Sequence, residues 1–202
     1  MPEDYSGGHN HNSSRPKGTV SPNVITIPGC TTAGLVSAGT YKSSEIAGEE
    51  KLLAEVNGEV AGRTTIKVKV PELEQLWSSI VYNLTGATSL HPSNHYGKPS
   101  TNTAIDNIAF DYFYETDTTL GINDMSLVWG GLFDKDDDWL TPHNLHRVGK
   151  SVDIDRNVYD FNNRKYILIP CDDDDILKRF VEKKRRGKLI CESGGRKHIE
   201  FY

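Results

Sequence analysis

Six residues separate His146 from Asp153 in the run His143-Asn-Leu-His146-Arg-Val-Gly149-Lys-Ser-Val-Asp153-Ile-Asp155, and His198 follows in Lys197-His198-Ile-Glu200-Phe-Tyr202. Two imidazole nitrogens and a carboxylate oxygen form a donor set that suits zinc. Three protein ligands leave a fourth coordination position for water, which separates catalytic zinc sites from closed structural ones. A metal-activated water is most naturally used in hydrolysis.

The pattern around these residues says how they could converge. Lys150-Ser-Val-Asp-Ile-Asp155 alternates, so Asp153 and Asp155 share one face of a strand and Val152 and Ile154 the other. Gly149 permits a tight turn between His146 and that strand. In the last segment His198, Glu200 and Tyr202 share one strand face, and Ile199 and Phe201 the other. Two half-buried strands would then offer a polar face to a common cleft. The competing reading is a pair of solvated strand faces.

Over His143 to Asp155 and His198 to Tyr202 the chain resembles the D-Ala-D-Ala carboxypeptidase and dipeptidase family of zinc metallopeptidases, part of a wider group that includes lysostaphin-type enzymes. That family carries a Ser-x-His-x-x-Gly-x-Ala-x-Asp type motif and a closing His in a strand. His146, Gly149 and Asp153 keep its spacing, Val152-Asp153-Ile154 matches its hydrophobic-Asp-hydrophobic step, and Lys197-His198-Ile-Glu200 resembles its closing motif. The resemblance implies zinc bound by His146, Asp153 and His198, and hydrolysis of peptides with D-amino acids such as peptidoglycan stem peptides. The family places its catalytic Glu, Asp or His two or three residues before the closing His, where this chain has Arg196 and Gly195. Neither serves as a base near neutral pH. Glu192 is the first candidate, reaching back across Ser193-Gly194-Gly195, and Glu200 the second, with orientation of His198 as its other role. The family's oxyanion-steadying arginine has no match here. The alternative function is a zinc-binding module for cell-wall binding or adhesion that has lost turnover.

Composition bounds the rest. The chain has 202 residues, 36% hydrophobic and 25% charged, with a net charge of −5. That balance fits a soluble globular protein and gives no reason to expect nucleic acid as a partner. No apolar run is long enough to span a bilayer. The expected partner is a peptide or peptidoglycan substrate, bound by a monomer. Met1-Pro-Glu-Asp-Tyr does not open a signal peptide, and the start reads like a segment cut from a longer exported protein of the cell envelope or exterior. Cys171 and Cys191 could pair in an oxidising compartment, leaving Cys30 over, and none is a zinc ligand.

Residues 1–22 read as a polar lead-in, with His9 and His11 in a solvated tail. Strands are expected at 24–27, 34–41, 50–56 and 64–70, with Asn57-Gly58 as a turn. Their order resembles bacterial immunoglobulin-like repeats, so residues 1–70 are expected to hold a partial immunoglobulin-like β-sandwich. Pro71 then opens an α+β region, residues 71–202, expected to be a peptidase domain with an antiparallel sheet and flanking helices. Ile105, Ile108, Ala109, Tyr112 and Phe113 make one helical stripe, with Thr103 and Asp106 as a capping box. Residues 124–133 read as a strand or strand-turn, and 165–169 as a buried strand. Asp172 to Asp175 before Ile176, Leu177, Phe180 and Val181, with Lys183-Lys-Arg-Arg186 beyond, read as the capped ends of a second helix rather than calcium or nucleic-acid sites. Asp134 to Asp138 is a solvated turn, since it lacks a calcium loop's Gly and closing Glu. Leu90-His91-Pro-Ser-Asn-His95-Tyr-Gly-Lys-Pro99 either lines a substrate cleft through His91 and His95 or forms an ordered surface loop. His143 is expected on the wall of the metal site.

Overall fold

Alternating strands dominate the molecule. The computed structural model describes residues 17–24, 39–89, 91–132, 145–184 and 186–202. The residues after Val24 in the expected first strand, residues 34–38 of the second, Cys30, Asp134 to Asp138 and His143 lie outside them. The described part is mixed: mostly antiparallel sheet with two α-helices.

The first region forms two separate two-stranded sheets. β1 (Thr19–Ser21) pairs with β2 (Thr40–Lys42), so part of the polar lead-in is strand. β3 (Gly48–Val56) pairs with β4 (Glu59–Val68) through the expected Asn57-Gly58 turn, whose φ values of 54° and 84° match the left-handed pair of a type I′ turn. Glu50 ties the two together, accepting hydrogen bonds from the Gly18 amide, the Tyr41 hydroxyl and the Ser44 hydroxyl. Contacts also cross Pro71: Ile46 bridges to Gly131, the Val70 amide donates to the Trp129 carbonyl, and Arg147 pairs with Glu45.

The larger sheet has seven strands. They are β6 (Tyr82–Leu84), β8 (Thr118–Ile122), β9 (Ser151–Ile154), β10 (Asn157–Asp160), β11 (Lys165–Leu168), β12 (Gly187–Glu192) and β13 (Arg196–Phe201), while β5 (Glu74–Gln75) and β7 (Tyr96–Gly97) pair with each other in a separate two-stranded sheet. The hydrogen-bonded path runs β11, β10, β8, β9, β13, β12, with β6 parallel on β8. The carbonyls of Asp117 and Gly121 accept from Phe161 and Asp155, and the Asn123 amide donates to Asp153. Odd-numbered residues of β8 therefore bond to β9 and β10 alike, which together lie along one of its edges. β11 is an edge strand with Tyr166 and Leu168 exposed, which corrects the expectation of a buried strand. Residues 124–132 do not make a strand; they form a loop with isolated bridges at Ser126 and Gly131.

Both helices pack on one face of this sheet. α1 (Pro99–Thr116) begins at its proline, where the missing amide costs nothing, so Thr103 and Asp106 lie inside the helix rather than at its cap. Asp106 instead accepts from the Tyr82 hydroxyl. The stripe of Ile105, Ile108, Ala109 and Tyr112 is buried against Leu120, Ile122, Val152 and Ile199, each such side chain contributing about 1.5–3 kcal/mol. α2 (Asp175–Lys178) runs on into a π turn, with Leu177, Phe180 and Val181 buried. Its cap is Asp174, which accepts from the Leu177 amide. Cys171 and Cys191 form a disulfide that fastens the preceding turn to β12. Lys184 and Arg186 both pair with Asp111 of α1, so the basic cluster closes a helix contact.

One ion pair lies inside this core. Lys197 has no exposed surface and its Nζ sits 2.6 Å from Asp174 Oδ2, to which the Tyr112 hydroxyl also donates. Burial, and then the Asp174 charge, push the Tyr112 phenol above its ordinary range. Removing one partner of such a pair strands a buried charge. Lys197→Met is expected to cost about 3–5 kcal/mol in urea denaturation, and adding Asp174→Asn to recover most of that loss. If the double variant is no more stable than Lys197→Met alone, the ion pair is not the source of the effect.

Candidate metal centre

The three residues singled out above meet on the sheet face away from the helices, with His146 and His198 buried and Asp153 half-buried. On β13 the core side takes Lys197, Ile199 and Phe201, so His198 and Glu200 point the other way. On β9, Val152 and Ile154 enter the core and Asp153 faces out beside His198, which is its direct partner across the antiparallel ladder. The His198 Nδ1 lies 2.7 Å from Asp153 Oδ1.

His146 arrives from a 3-10 turn just before β9. The turn ends at Gly149, whose φ of 70° is left-handed and whose added Cβ would sit 2.4 Å from Leu73 Cδ2 and 3.0 Å from the Lys98 amide nitrogen. Only glycine meets both demands, as its place in the sequence suggested. The Met125 carbonyl lies 2.6 Å from His146 Nδ1, so that nitrogen carries a proton and Nε2 is the atom that would meet a metal ion. Nε2 faces Asp153 Oδ1 at 3.4 Å, and the two imidazole rings are 5.1 Å apart.

The donor set fits a metal ion. One atom from each of His146, Asp153 and His198 lies within 4.8 Å of the others. Donors about 2.0–2.1 Å from a tetrahedral zinc are roughly 3.3 Å apart, which falls between the 2.7 and 3.4 Å measured from Asp153 Oδ1. Burial acts to raise the Asp153 carboxyl, but the hydrogen bonds and charges of both histidines outweigh it and hold the group well below the usual carboxylate range. The carboxylate is thus ionised, as a ligand must be.

The other candidates are placed as follows. Glu200 Oε1 is 4.0 Å from His198 Nε2, the nitrogen turned away from Asp153. Glu192 faces Arg196 across the β12–β13 hairpin, and Ile190 faces His198, so Glu192 lies on the same strand face two register positions from the His198 pair. The tip is a turn at Gly194 and Gly195, whose carbonyls accept from Arg156 and from the Cys171 amide. His91 and His95 are both buried. His95 Nε2 donates to the Ile122 carbonyl at 3.1 Å, and burial holds its imidazole below its ordinary pKa and therefore neutral. These two rings sit in the scaffold under the loop at 123–126.

That scaffold holds supports the sequence did not single out as such. Asp153 donates its amide to the Asp124 carbonyl, Asn94 Nδ2 donates to Asp124 Oδ1, and the Met125 amide donates to the Asn94 carbonyl. The loop at 91–97 therefore braces the backbone that orients His146. Asn94 is fully buried. The only signal for it was its place between the two histidines. No protein-family model matches the chain, and no curated protein matches it.

Two substitutions check the centre. The parent chain should bind about one zinc, and His198→Ala should lose it, since two remaining ligands hold the ion poorly; full occupancy in that variant would remove His198 from the site. Gly149→Ala leaves every ligand in place but costs at least about 1–2 kcal/mol of backbone strain. It is expected to lower the melting temperature and weaken zinc binding together.

Proposed function

We propose that the chain is a zinc-dependent peptidase acting on peptides with D-amino acids, of the kind found in peptidoglycan stems. The observation that carries this is the three-ligand cluster of His146, Asp153 and His198, in which both imidazoles are buried and the carboxylate is half-buried. It agrees in residue type and order with the metallopeptidase resemblance of the sequence. Zinc held there would polarise a scissile carbonyl and lower the pKa of a water to about 7.

The chain's own residues supply the rest. Asp153 balances the charge of the site, and the Met125 carbonyl fixes the tautomer of His146. Glu200, beside the outer nitrogen of His198, orients that ring. Glu192 is the carboxylate on the same face that can take a proton from the attacking water and return it to the leaving amine. The fold-level parts of the reading are a peptidase-type sheet for residues 71–202 and an immunoglobulin-like origin for the preceding strands, displayed outside the cell or in its envelope. The Cys171–Cys191 disulfide supports an oxidising compartment. No described helix is long and apolar enough to cross a membrane.

A second reading is favoured by one observation. The positions where the resemblance places a base hold Arg196 and Gly195, and Gly195 is locked into the hairpin turn at φ 74°. The chain would then be a metal-holding wall-binding module without turnover. Hydrolysis of a D-Ala-ended peptide separates the two. Glu192→Gln is expected to keep zinc and slow hydrolysis by a factor on the order of 10² to 10⁴. Glu200→Gln is expected to have the smaller effect. Full turnover in Glu192→Gln with an inactive Glu200→Gln would transfer the role, and no hydrolysis by the parent chain would favour the binding module.

A further inference from the structure

The open sheet face carries a second feature beside the metal cluster. A cleft of about 290 Å³ is lined by Asn83, Thr85, Thr119, Asp155, Asn157 and Tyr166, with Gly121 in its floor. Two links tie it to the metal cluster: Asp155 lies two residues beyond Asp153, and Asn123 bonds to both, through its amide to the Asp153 carbonyl and through Nδ2 to Asp155 Oδ1. Asp155 is held rigidly, since its other oxygen accepts from the Thr85 hydroxyl at 2.7 Å. Gly121 is required for that placement, because a Cβ there would lie 2.5 Å from Asp155 Oδ2.

The chemistry of the lining selects a class of ligand. Two carboxamides, two hydroxyls and one already bonded carboxylate offer mixed donors and acceptors at close spacing. The described lining has no Lys, Arg or His, so it does not suit a phosphate or a free carboxylate. One carboxylate whose oxygens each accept a hydrogen bond is a poor cation site. Beside these groups stands an aromatic ring, Tyr166, 68% exposed and braced edge-on against Tyr159 at 5.2 Å. An exposed ring next to amides, hydroxyls and a fixed carboxylate is the complement of a sugar, which presents C–H groups on one face and vicinal hydroxyls around its rim. A peptide backbone would use the amides but has no comparable need of the ring.

We propose that this cleft is a saccharide subsite that takes an N-acetylhexosamine of the glycan strand while the attached peptide reaches the metal centre. The proposal rests on the peptidoglycan reading given above. It makes the chain prefer peptides still joined to their glycan over free ones.

The test is calorimetric titration of the full chain with N,N′,N″-triacetylchitotriose and, separately, with a sugar-free D-Ala-ended stem peptide. Zinc content and peptide hydrolysis are measured on the same samples. The parent is expected to bind the trisaccharide, with Tyr166→Ala and Asn83→Ala each weakening it up to about tenfold, the worth of one ring contact or hydrogen bond. Both side chains are exposed, so the variants should fold and keep zinc. No trisaccharide binding by a zinc-loaded chain, or binding indifferent to both substitutions, overturns the proposal. So does an equal loss of free-peptide binding in the two variants, which would assign the cleft to peptide. Trisaccharide binding that the two substitutions weaken, in a chain that hydrolyses no peptide, keeps the subsite and removes the peptidase reading instead.

Discussion

The register of β13 on β9 is the constraint on which the rest depends. Because side chains alternate along a strand, Lys197 and His198 must go to opposite faces. Lys197 enters the core and meets Asp174; His198 leaves it and meets Asp153. A slip of one residue would turn a lysine toward the metal cluster and bury an imidazole against α1 and α2, while Asp174 lost its cation. Buried ion pairs add little net stability over apolar residues of the same size, but they penalise wrong pairings heavily. Here the pair also reaches beyond the sheet. Asp174 caps α2 and binds Tyr112 of α1, and the Cys171–Cys191 disulfide holds the same turn to β12. A disulfide closing about 20 residues removes roughly 3 kcal/mol of chain entropy from the unfolded state. Register, helix placement and metal geometry are therefore coupled through one strand.

The metal cluster is built from two kinds of element with different stiffness. Asp153 and His198 are cross-strand neighbours in the middle of a sheet, so their separation is set by the ladder itself. His146 comes from a short turn and must be held by something else. The Met125 carbonyl, the left-handed Gly149 and the braced loop at 91–97 do this. A site needs its ligands held to within a fraction of an ångström, and a turn gains that precision only from bonded neighbours. This accounts for a fully buried Asn94 and a neutral, backbone-bonded His95 in a segment whose composition also suited a substrate cleft.

What the sequence made legible were periods and local turns. The alternation around Asp153 and His198, the glycine between His146 and its strand, the Asn57-Gly58 turn, the stripe on α1 and the Cys171–Cys191 pairing all show in the structure. What was hidden was long-range partnership. Nothing near Lys197 announces that a lysine in a strand will be fully buried, because its partner lies 23 positions away in another element. Likewise Lys165-Tyr-Ile-Leu reads as a core strand on hydrophobicity, but its position at the sheet edge leaves Tyr166 and Leu168 in solvent. Thr103 and Asp106 have the spacing of a capping box, yet Pro99 starts the helix four residues earlier. Each failure is a case where the neighbour, not the residue, decides.

The same rule bears on the general base. In the family that the metal motif resembles, the base comes two or three residues before the closing His. In this chain the interval holds Gly195, which belongs to the β12–β13 turn, and Arg196, which begins β13. Among the described residues of this hairpin, a carboxylate on the face of His198 comes from the neighbouring strand or from beyond His198. Glu192 satisfies the first condition by register and Glu200 the second. They are not equivalent. Glu200 Oε1 lies 4.0 Å from the His198 nitrogen that Asp153 does not use. Glu192 stands opposite Arg196, and opposite charges directly across a ladder attract. Under the proposed reading, Arg196 stands where it would steer the Glu192 side chain from across the hairpin.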